Sequence, residues 1–279
     1  MRIIKKRLVD NVLDISDSSL TCYLRGQNAN LRAILNYPAI IICPGGGYTQ
    51  LSDRESEIIA LSFLAKGYHS FVLNYSLVSD SYLYPKPLVE MAKVFQFINE
   101  NAEKYHINLD KIATIGFSAG GHVVSWYNSL PDDWINQYTN VSVIKPTKQI
   151  LCYPLIDFSL TNGFPKGQIS NILGTCLPGA TQKMVSKKTP PTFIWTTNTD
   201  ELVPSKNTTE YILALQKYSV DYEAHVFGWG PHGLSLSNEQ TNYLPTDSKH
   251  SNRCFVNIHD SAWFPLAVEW LERKNYDIK

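Results

Sequence analysis

The sequence predicts an α/β fold in which a mainly parallel central sheet is flanked by helices on both faces. Strand-like and helix-like segments alternate almost to the end of the 279 residues, as they do when parallel strands are joined by helices. The strand-like segments are short apolar runs, which is typical of buried strands. No internal repeat, low-complexity tract or Gly/Ser-rich linker interrupts this alternation. We therefore expect one domain over residues 1–279.

The elements follow in chain order. The first 35 or so residues contain short mixed segments and are expected to add antiparallel strands at one edge of the sheet. Six buried strands are predicted at 39–43, 69–75, 111–117, 148–154, 192–197 and 221–227. Five helices are predicted near 53–66, 87–105, 118–129, 205–218 and 262–274. The interval 155–190 has weak periodicity and is expected to form a small cap-like insertion over the carboxyl edge of the sheet, where open α/β sheets bind ligands.

The charge balance argues against several classes of partner. Lys plus Arg and Asp plus Glu number 25 each, so no net field would draw the protein to nucleic acid or to an anionic membrane. No apolar stretch is long enough to cross a bilayer. Asp10 and Asp14 interrupt the apolar run near the N-terminus before a signal-peptide core can form. We expect neither a nucleic acid nor a membrane partner, and the sequence leaves a homo-oligomer open.

The five cysteines are odd in number, scattered, and without C-x-x-C spacing. This pattern argues against a disulfide framework and against a zinc site. No histidine occurs in H-E-x-x-H or a similar spacing, so no catalytic metal is expected. The sequence therefore predicts a protein of the reducing cytoplasm with no metal.

The stretch "KIATIGFSAGGHVVSW", residues 111–126, places a serine where a strand-like run changes into a helix-like run. Residues 116–120 read G-F-S-A-G and match the pattern G-x-S-x-G. In that pattern a sharp strand-to-helix turn exposes the serine hydroxyl, and small residues are needed because the neighbouring backbone approaches closely. Ser118 is the predicted nucleophile.

A serine hydroxyl needs a histidine to remove its proton and a carboxylate to orient that histidine. Asp200 lies just beyond the predicted strand 192–197, and His232 lies in a Gly-Pro-His-Gly loop after the last predicted strand. The order Ser118, Asp200, His232 is the order of the catalytic triad in α/β-hydrolases. Asp157, which also follows a strand, is the alternative acid.

A tetrahedral intermediate also needs hydrogen-bond donors for its oxyanion, and backbone N–H groups usually supply them. The run Gly45-Gly46-Gly47 follows the first long buried strand, where α/β-hydrolases carry an HGGG-type loop, although Pro44 stands here in place of the histidine. The expected donors are the N–H groups of Gly46, Gly47 and Ala119. A phosphate loop is disfavoured because the Walker spacing is missing.

Five segments together resemble one known family. They are "PGGGYTQLSDRESEIIALSFLAKGYHSFVLNYSL", "IGFSAGGH", "LCYPLID", "DELVP" and "GPHGLSL". The chain resembles bacterial α/β-hydrolase esterases related to acetyl esterases and acetylxylan esterases over roughly residues 38–275. This resemblance implies the α/β-hydrolase fold, with Ser118 as nucleophile, His232 as base and Asp200 as its orienting acid. It also implies hydrolysis of short-chain acyl esters with no metal or organic cofactor.

Other residues compete for a role at this site. Five aromatic residues adjoin the predicted catalytic loops and are candidates for lining a substrate pocket: Tyr48, Phe117, Tyr153, Trp195 and Trp229. For any one of them, core packing is an equal alternative. Among the other histidines, His259 is the second choice as base. His122 is expected to pack or to form hydrogen bonds near the strand-to-helix turn at Ser118, and His69 and His225 are expected to lie in strands.

The sequence thus predicts a serine carboxylesterase acting on small acyl esters, O-acetylated sugars among them, with a small-molecule ester as partner. Two alternatives stay open. A peptidase or amidase uses the same machinery, and a non-catalytic binding protein could use the same scaffold.

Overall fold

An eight-stranded sheet runs through the centre of the computed structural model, with helices on both faces. The structure describes residues 1–9, 13, 15, 18–26, 36–79, 82–131, 133–141, 143–162, 164–174, 179–243 and 254–273. The strands are β1 (Arg2–Arg7), β2 (Ser19–Leu24), β3 (Tyr37–Cys43), β4 (His69–Asn74), β5 (Ile107–Phe117), β6 (Lys148–Cys152), β7 (Thr192–Thr197) and β8 (Tyr222–Phe227). The helices are α1 (Glu57–Ala65), α2 (Lys86–Glu100), α3 (Ala102–Tyr105), α4 (Ala119–Ser129), α5 (Lys166–Leu173), α6 (Lys206–Lys217), α7 (Ile258–Ser261) and α8 (Trp263–Glu272).

The strand order in the sheet is β1-β2-β4-β3-β5-β6-β7-β8. The pairs β1–β2 and β2–β4 are antiparallel, whereas every pair from β4–β3 to β7–β8 is parallel. The mainly parallel sheet, its flanking helices and its antiparallel edge strands were all expected from the sequence, and this prediction is confirmed. All six parallel strands end at one edge of the sheet, so the loops that follow them meet there.

Side chains of the central strands alternate between two apolar layers. On β3, Ile41 joins one layer with Leu88 of α2 and Val123 of α4, whereas Ile40 joins the other layer with Phe63 of α1. Because both layers are covered, a central strand is apolar at every position, which explains the continuous runs seen in the sequence.

The structure differs from the predicted elements at several boundaries. β5 begins at Ile107 rather than at 111, because residues 108–111 between the buried Ile107 and Ile112 are largely exposed and break the apolar run. The predicted helix 87–105 is divided into α2 and α3 at Asn101. Within 155–190 the described residues contain α5 and two 3₁₀ turns, at Phe158–Leu160 and Thr181–Met184. The cap-like character of this interval stays a prediction.

No helix within the described ranges is long and apolar enough to cross a membrane.

Candidate active site

Ser118 lies in a strained turn between β5 and α4. Its backbone has φ 49° and ψ −116°, a left-handed conformation that a residue with a side chain rarely adopts. The backbone holds it there, because the Ser118 N–H donates to the Cys152 carbonyl at 3.0 Å and its own carbonyl accepts from the Leu155 N–H at 3.0 Å. The turn therefore presents the hydroxyl at the carboxyl edge of the sheet.

The glycine after Ser118 in the motif permits a close backbone approach. A Cβ at Gly120 would lie 2.1 Å from the Cys43 carbonyl oxygen and 2.5 Å from that of Pro44. The first turn of α4 thus packs directly against the end of β3, and the loop that follows β3 lies beside the serine.

A chain of two hydrogen bonds joins the three predicted triad residues. The Ser118 Oγ lies 2.8 Å from His232 Nε2, and His232 Nδ1 lies 2.6 Å from Asp200 Oδ2. A carboxylate only accepts, so Nδ1 carries the proton and Nε2 is left as the acceptor for the serine hydroxyl. The backbone orients the acid as well, because Asp200 Oδ1 accepts from the N–H groups of Leu202 at 3.1 Å and Val203 at 2.9 Å.

The charges around His232 favour its protonated form. Burial acts to lower the pKa of His232, but the opposing effects of Asp200, Glu55 and Glu201 outweigh it and raise the pKa above 6.5. The imidazolium that forms when His232 accepts a proton is therefore stabilised by carboxylates.

Three backbone N–H groups close to Ser118 in the cavity lining or in sequence have no protein acceptor within the described part of the chain. Gly46 and Gly47 line the same cavity as Ser118, with φ of 124° and 63°. Ala119 follows the serine as the first residue of α4. Among the described residues, no acceptor is paired with the N–H of Gly46, Gly47 or Ala119. These are the three predicted oxyanion donors, and their assignment as donors remains a proposal.

A cavity of about 760 Å³ opens over Ser118 and His232. Its apolar side chains come from separate parts of the chain: Leu51, Phe164, Leu202, Val203, Tyr243 and Phe255. Its polar side chains are Thr49, Gln50, Ser52, Asp53, Arg54, Glu55, Gln168 and Asn242. Such a mixed lining suits a ligand that has both apolar and hydroxyl groups.

The aromatic residues expected to line a substrate pocket are not among the residues that line this cavity, and their role in a pocket stays a prediction. Tyr48, Phe117, Tyr153 and Trp195 are buried in the core. Trp229 is 51% exposed and lies outside the cavity lining. Proximity to a catalytic loop in sequence does not determine the direction in which a side chain points. Tyr48 is an example. It directly follows the glycine run and has a φ of 66°, and its side chain is buried in the core.

The Tyr48 hydroxyl instead belongs to a buried polar cluster with His122. It lies 2.6 Å from His122 Nδ1, 3.0 Å from the Tyr84 hydroxyl and 3.2 Å from the Ala119 carbonyl. His122 Nε2 lies 2.8 Å from the Gly179 carbonyl, and burial lowers the pKa of His122 to about 4. His122 is therefore a neutral residue that joins α4 to Tyr48, just after the glycine run, and to Gly179 within the interval 155–190.

The alternative catalytic residues have other partners. Asp157 accepts from the Ser159 N–H at 2.9 Å and from Gln182 Nε2 at 2.9 Å. His259 lies in the short helix α7, with its ring against that of Phe227. His69 and His225 lie in β4 and β8, as expected for strand residues.

Two charged residues that line the cavity together with Ser118, Arg54 and Glu55, were not predicted from the sequence. The Arg54 guanidinium donates to the carbonyls of Gly233, at 2.7 Å, and Thr241, and it stacks on the Tyr243 ring. Glu55 is buried and accepts hydrogen bonds through both carboxylate oxygens. The signal available was a charged "DRE" triplet soon after the glycine run, but it resembles an ordinary helix start.

The described residues contain no group of three or more His, Cys, Asp or Glu arranged to hold a metal ion.

Comparison with known proteins gives a consistent set of relatives. A family model with the description BD-FAE matches residues 29–215. The chain is 30% identical over 242 residues to the acetylxylan esterase of Xylanibacter ruminicola, and this alignment covers 83% of this chain and 46% of the relative. It is 32% identical over 213 residues to endo-1,4-beta-xylanase B of Butyrivibrio fibrisolvens, which covers 72% of this chain and 33% of the relative. The chain thus spans between a third and a half of the length of these curated relatives.

Among solved structures, a carboxylesterase from Lactobacillus plantarum superposes with a TM-score of 0.89 at 32% identity. The match covers 98% of this chain and 97% of that structure. The similarity therefore extends over nearly the whole of both chains.

Proposed function

Because this chain belongs to the BD-FAE family and has the α/β-hydrolase fold of the carboxylesterases it resembles, we propose that it hydrolyses carboxylic esters with Ser118 as the nucleophile. The predicted family resemblance and fold are confirmed by these matches. The observation that carries the proposed activity is the continuous hydrogen-bond chain from Ser118 through His232 to Asp200 at the base of an open cavity.

The proposed reaction begins with His232 Nε2 accepting the hydroxyl proton while Ser118 Oγ forms a bond to the ester carbonyl carbon. The carbonyl oxygen becomes an oxyanion and accepts hydrogen bonds from the Gly46, Gly47 and Ala119 N–H groups. The C–O bond to the alcohol then breaks, and His232 gives its proton to the leaving oxygen. Water, deprotonated by the same imidazole, attacks the acyl carbon. The bond between that carbon and Ser118 Oγ then breaks, His232 returns its proton to Oγ, and the acid is released.

We propose short-chain acyl esters as the substrate class, with O-acetylated sugars as its natural form. Thr49, Gln50, Gln168 and Asn242 line the cavity and can hydrogen-bond to hydroxyl groups of a sugar alcohol. The name of the Xylanibacter relative supports an acetyl group. The proposed location is the cytoplasm, based on the scattered, odd-numbered cysteines.

The first test compares wild type, Ser118→Ala and the control Ser62→Ala, whose hydroxyl lies in α1 and donates to the Ile58 carbonyl. We expect Ser118→Ala to lower kcat for p-nitrophenyl acetate by several orders of magnitude and Ser62→Ala to change it little. A fluorophosphonate should modify wild type at Ser118, as located by peptide mass spectrometry. Wild-type turnover by Ser118→Ala would contradict the proposal.

The second test concerns the bond that is cleaved and the acyl chain. Matched p-nitrophenyl acetate and p-nitroacetanilide distinguish an esterase from an amidase, and we expect hydrolysis of the ester alone. A series of p-nitrophenyl esters from acetyl to octanoyl should give its highest kcat/KM at acetyl to butyryl. A maximum at octanoyl would refute the short-chain proposal and leave the role of Ser118 intact.

A further inference from the structure

Glu55 is a buried carboxylate beside the proposed nucleophile, and both of its oxygens accept hydrogen bonds. Oε2 accepts from the Gly45 N–H at 2.8 Å, and Oε1 accepts from the Tyr153 hydroxyl at 2.6 Å. Gly45 immediately precedes Gly46 and Gly47, whose N–H groups are the proposed oxyanion donors. One end of the Glu55 carboxylate thus holds the glycine loop, here defined as residues 44–50.

The other end of the carboxylate reaches the loop that carries His232. The Tyr153 hydroxyl accepts from the Ser235 N–H at 2.9 Å, three residues beyond His232. The Tyr153 ring also packs edge-to-face on the His232 imidazole, with ring centroids 5.3 Å apart. Glu55 and Tyr153 therefore connect the glycine loop to the histidine loop, here defined as residues 228–237.

The Glu55 carboxylate and the Ser118 side chain both lie close to Gly45. A Cβ at Gly45 would lie 2.7 Å from Glu55 Oε2 and 3.0 Å from the Ser118 Cβ. Real Cβ atoms do not approach so closely, so this position needs glycine. The Glu55 carboxylate, the glycine run and the Ser118 side chain therefore lie together.

Glu55 has no cationic partner to offset the cost of its burial. Among the described residues, no Lys, Arg or His forms an ion pair with it, and the neighbouring Arg54 donates to backbone carbonyls instead. A buried carboxylate without a cation is costly in a purely structural role. The proposed reaction would supply a transient cation when His232 accepts the serine proton.

We infer that Glu55 is a positioning residue for ester hydrolysis, which holds the glycine loop and, through Tyr153, the histidine loop in their reactive arrangement, and whose charge stabilises the His232 imidazolium. This inference rests on the proposed function. It assigns the site a second carboxylate, besides Asp200, that acts on the same imidazole from the opposite loop.

The test uses His232 as a reporter, so every group that faces it matters. Asp200 and Glu201 lie in the loop after β7, Glu55 and Arg54 in the 3₁₀ turn at Asp53–Glu55, and Tyr153 after β6. Asp200, Glu55 and Glu201 all raise the pKa of His232. Glu201 is exposed, which makes Glu201→Gln a control that removes one charge near His232 without removing the two hydrogen bonds made by Glu55.

The experiment measures kcat and KM for p-nitrophenyl acetate, and follows the His232 pKa by NMR titration. For Glu55→Gln we expect a fall in kcat of about tenfold or more, a change in KM of less than about threefold, and a lower His232 pKa. The amide has one acceptor oxygen, so it cannot serve both donors. For Glu201→Gln, which removes a charge but neither of the Glu55 hydrogen bonds, we expect a lower His232 pKa and a smaller fall in kcat than for Glu55→Gln.

Tyr153→Phe separates the positioning effect of Glu55 from the effect of its charge. It also provides a test of the inference if Glu55→Gln does not fold. It keeps the carboxylate but removes the link to Ser235, so kcat should fall by about tenfold or more while the His232 pKa stays near that of wild type. The inference is overturned if Glu55→Gln keeps wild-type kcat, if it loses kcat with an unchanged His232 pKa, or if Tyr153→Phe keeps wild-type kcat. Hydrolysis by Ser118→Ala would instead overturn the proposed function, and the NMR titration would still test the charge of Glu55.

Discussion

The imidazole of His232 lies 2.6 Å from the Asp200 carboxylate on one side and 2.8 Å from the Ser118 hydroxyl on the other. Burial acts to lower the pKa of His232, but the nearby carboxylates raise it above 6.5. Below that pKa the imidazolium cannot accept the serine proton. We therefore expect kcat/KM to rise with pH, with the midpoint of its acidic limb above 6.5.

This pH profile is measured with p-nitrophenyl acetate under conditions in which the protein stays folded, as checked by circular dichroism at each pH. A midpoint below 6.5, or a flat profile between about pH 5 and pH 8, would count against His232 as the base.

The choice of Asp200 as the acid predicts a ranking of two variants. Asp200→Asn keeps the size of the side chain but removes the carboxylate that fixes the His232 tautomer, so kcat should fall roughly 10³- to 10⁴-fold. Asp157→Asn disturbs the contacts with Ser159 and Gln182 and should lower kcat by no more than a few-fold. The reverse ranking would move the acid to the loop after β6.

The close backbone approach at Gly120, in the turn that carries Ser118, predicts that alanine has opposite effects on stability at two glycines. An alanine Cβ at Gly120 would lie 2.1 Å from a backbone carbonyl oxygen, whereas at Gly167 in α5 it would meet no atom within 4 Å. Gly120→Ala should lower the free energy of unfolding by more than about 4 kcal/mol or prevent folding. Gly167→Ala should raise it by about 0.5–1 kcal/mol, since alanine favours a helix. Urea unfolding measures both, and equal effects would show that the close approach at Gly120 is absent.

The Tyr48 hydroxyl predicts a stability effect away from the reacting atoms. Tyr48→Phe removes the contacts with His122, Tyr84 and the Ala119 carbonyl in a fully buried cluster. The free energy of unfolding should fall by about 1–3 kcal/mol. Tyr82→Phe, at an exposed tyrosine, is the control and should change it by less than about 0.5 kcal/mol. A neutral Tyr48→Phe would mean that the cluster contributes little to stability.

The buried carboxyl group of Glu90 should make the free energy of unfolding depend on pH. It is buried in α2 and accepts from the N–H and hydroxyl of Ser76, and burial raises its pKa from 4.5 to about 7. Between these values the folded state holds a proton that the unfolded state has lost, so this contribution to stability is largest below pH 4.5 and decreases as the pH rises to 7.

Glu90→Gln removes this titration. The stability of wild type relative to Glu90→Gln should fall between pH 4.5 and pH 7, by about 3 kcal/mol at most. Urea unfolding of both proteins across this range measures the difference. A constant difference would show that Glu90 titrates alike in the folded and unfolded states.

The sequence by itself was sufficient to predict which segments meet at the site. Ser118, Asp200 and His232 each follow an apolar strand, and the carboxyl ends of parallel strands lie at the same edge of a sheet. Their order, together with the G-x-S-x-G motif and the Gly-Pro-His-Gly loop, therefore predicted that the three residues lie at one place. The apolar runs also predicted the central strands, because strands covered on both faces are apolar at every position.

Only the tertiary structure decided where the side chains in those segments point. Tyr48 and Trp229 adjoin catalytic loops, yet one is buried and the other points to solvent. Glu55 resembles an ordinary helix-start residue in sequence, but its partners include Tyr153, 98 residues away. Side-chain direction depends on φ, on rotamer and on packing against such distant residues. None of these leaves a periodic signal along the chain, whereas strand burial does, and this is why the sequence predicted which loops meet but not which side chains line the cavity.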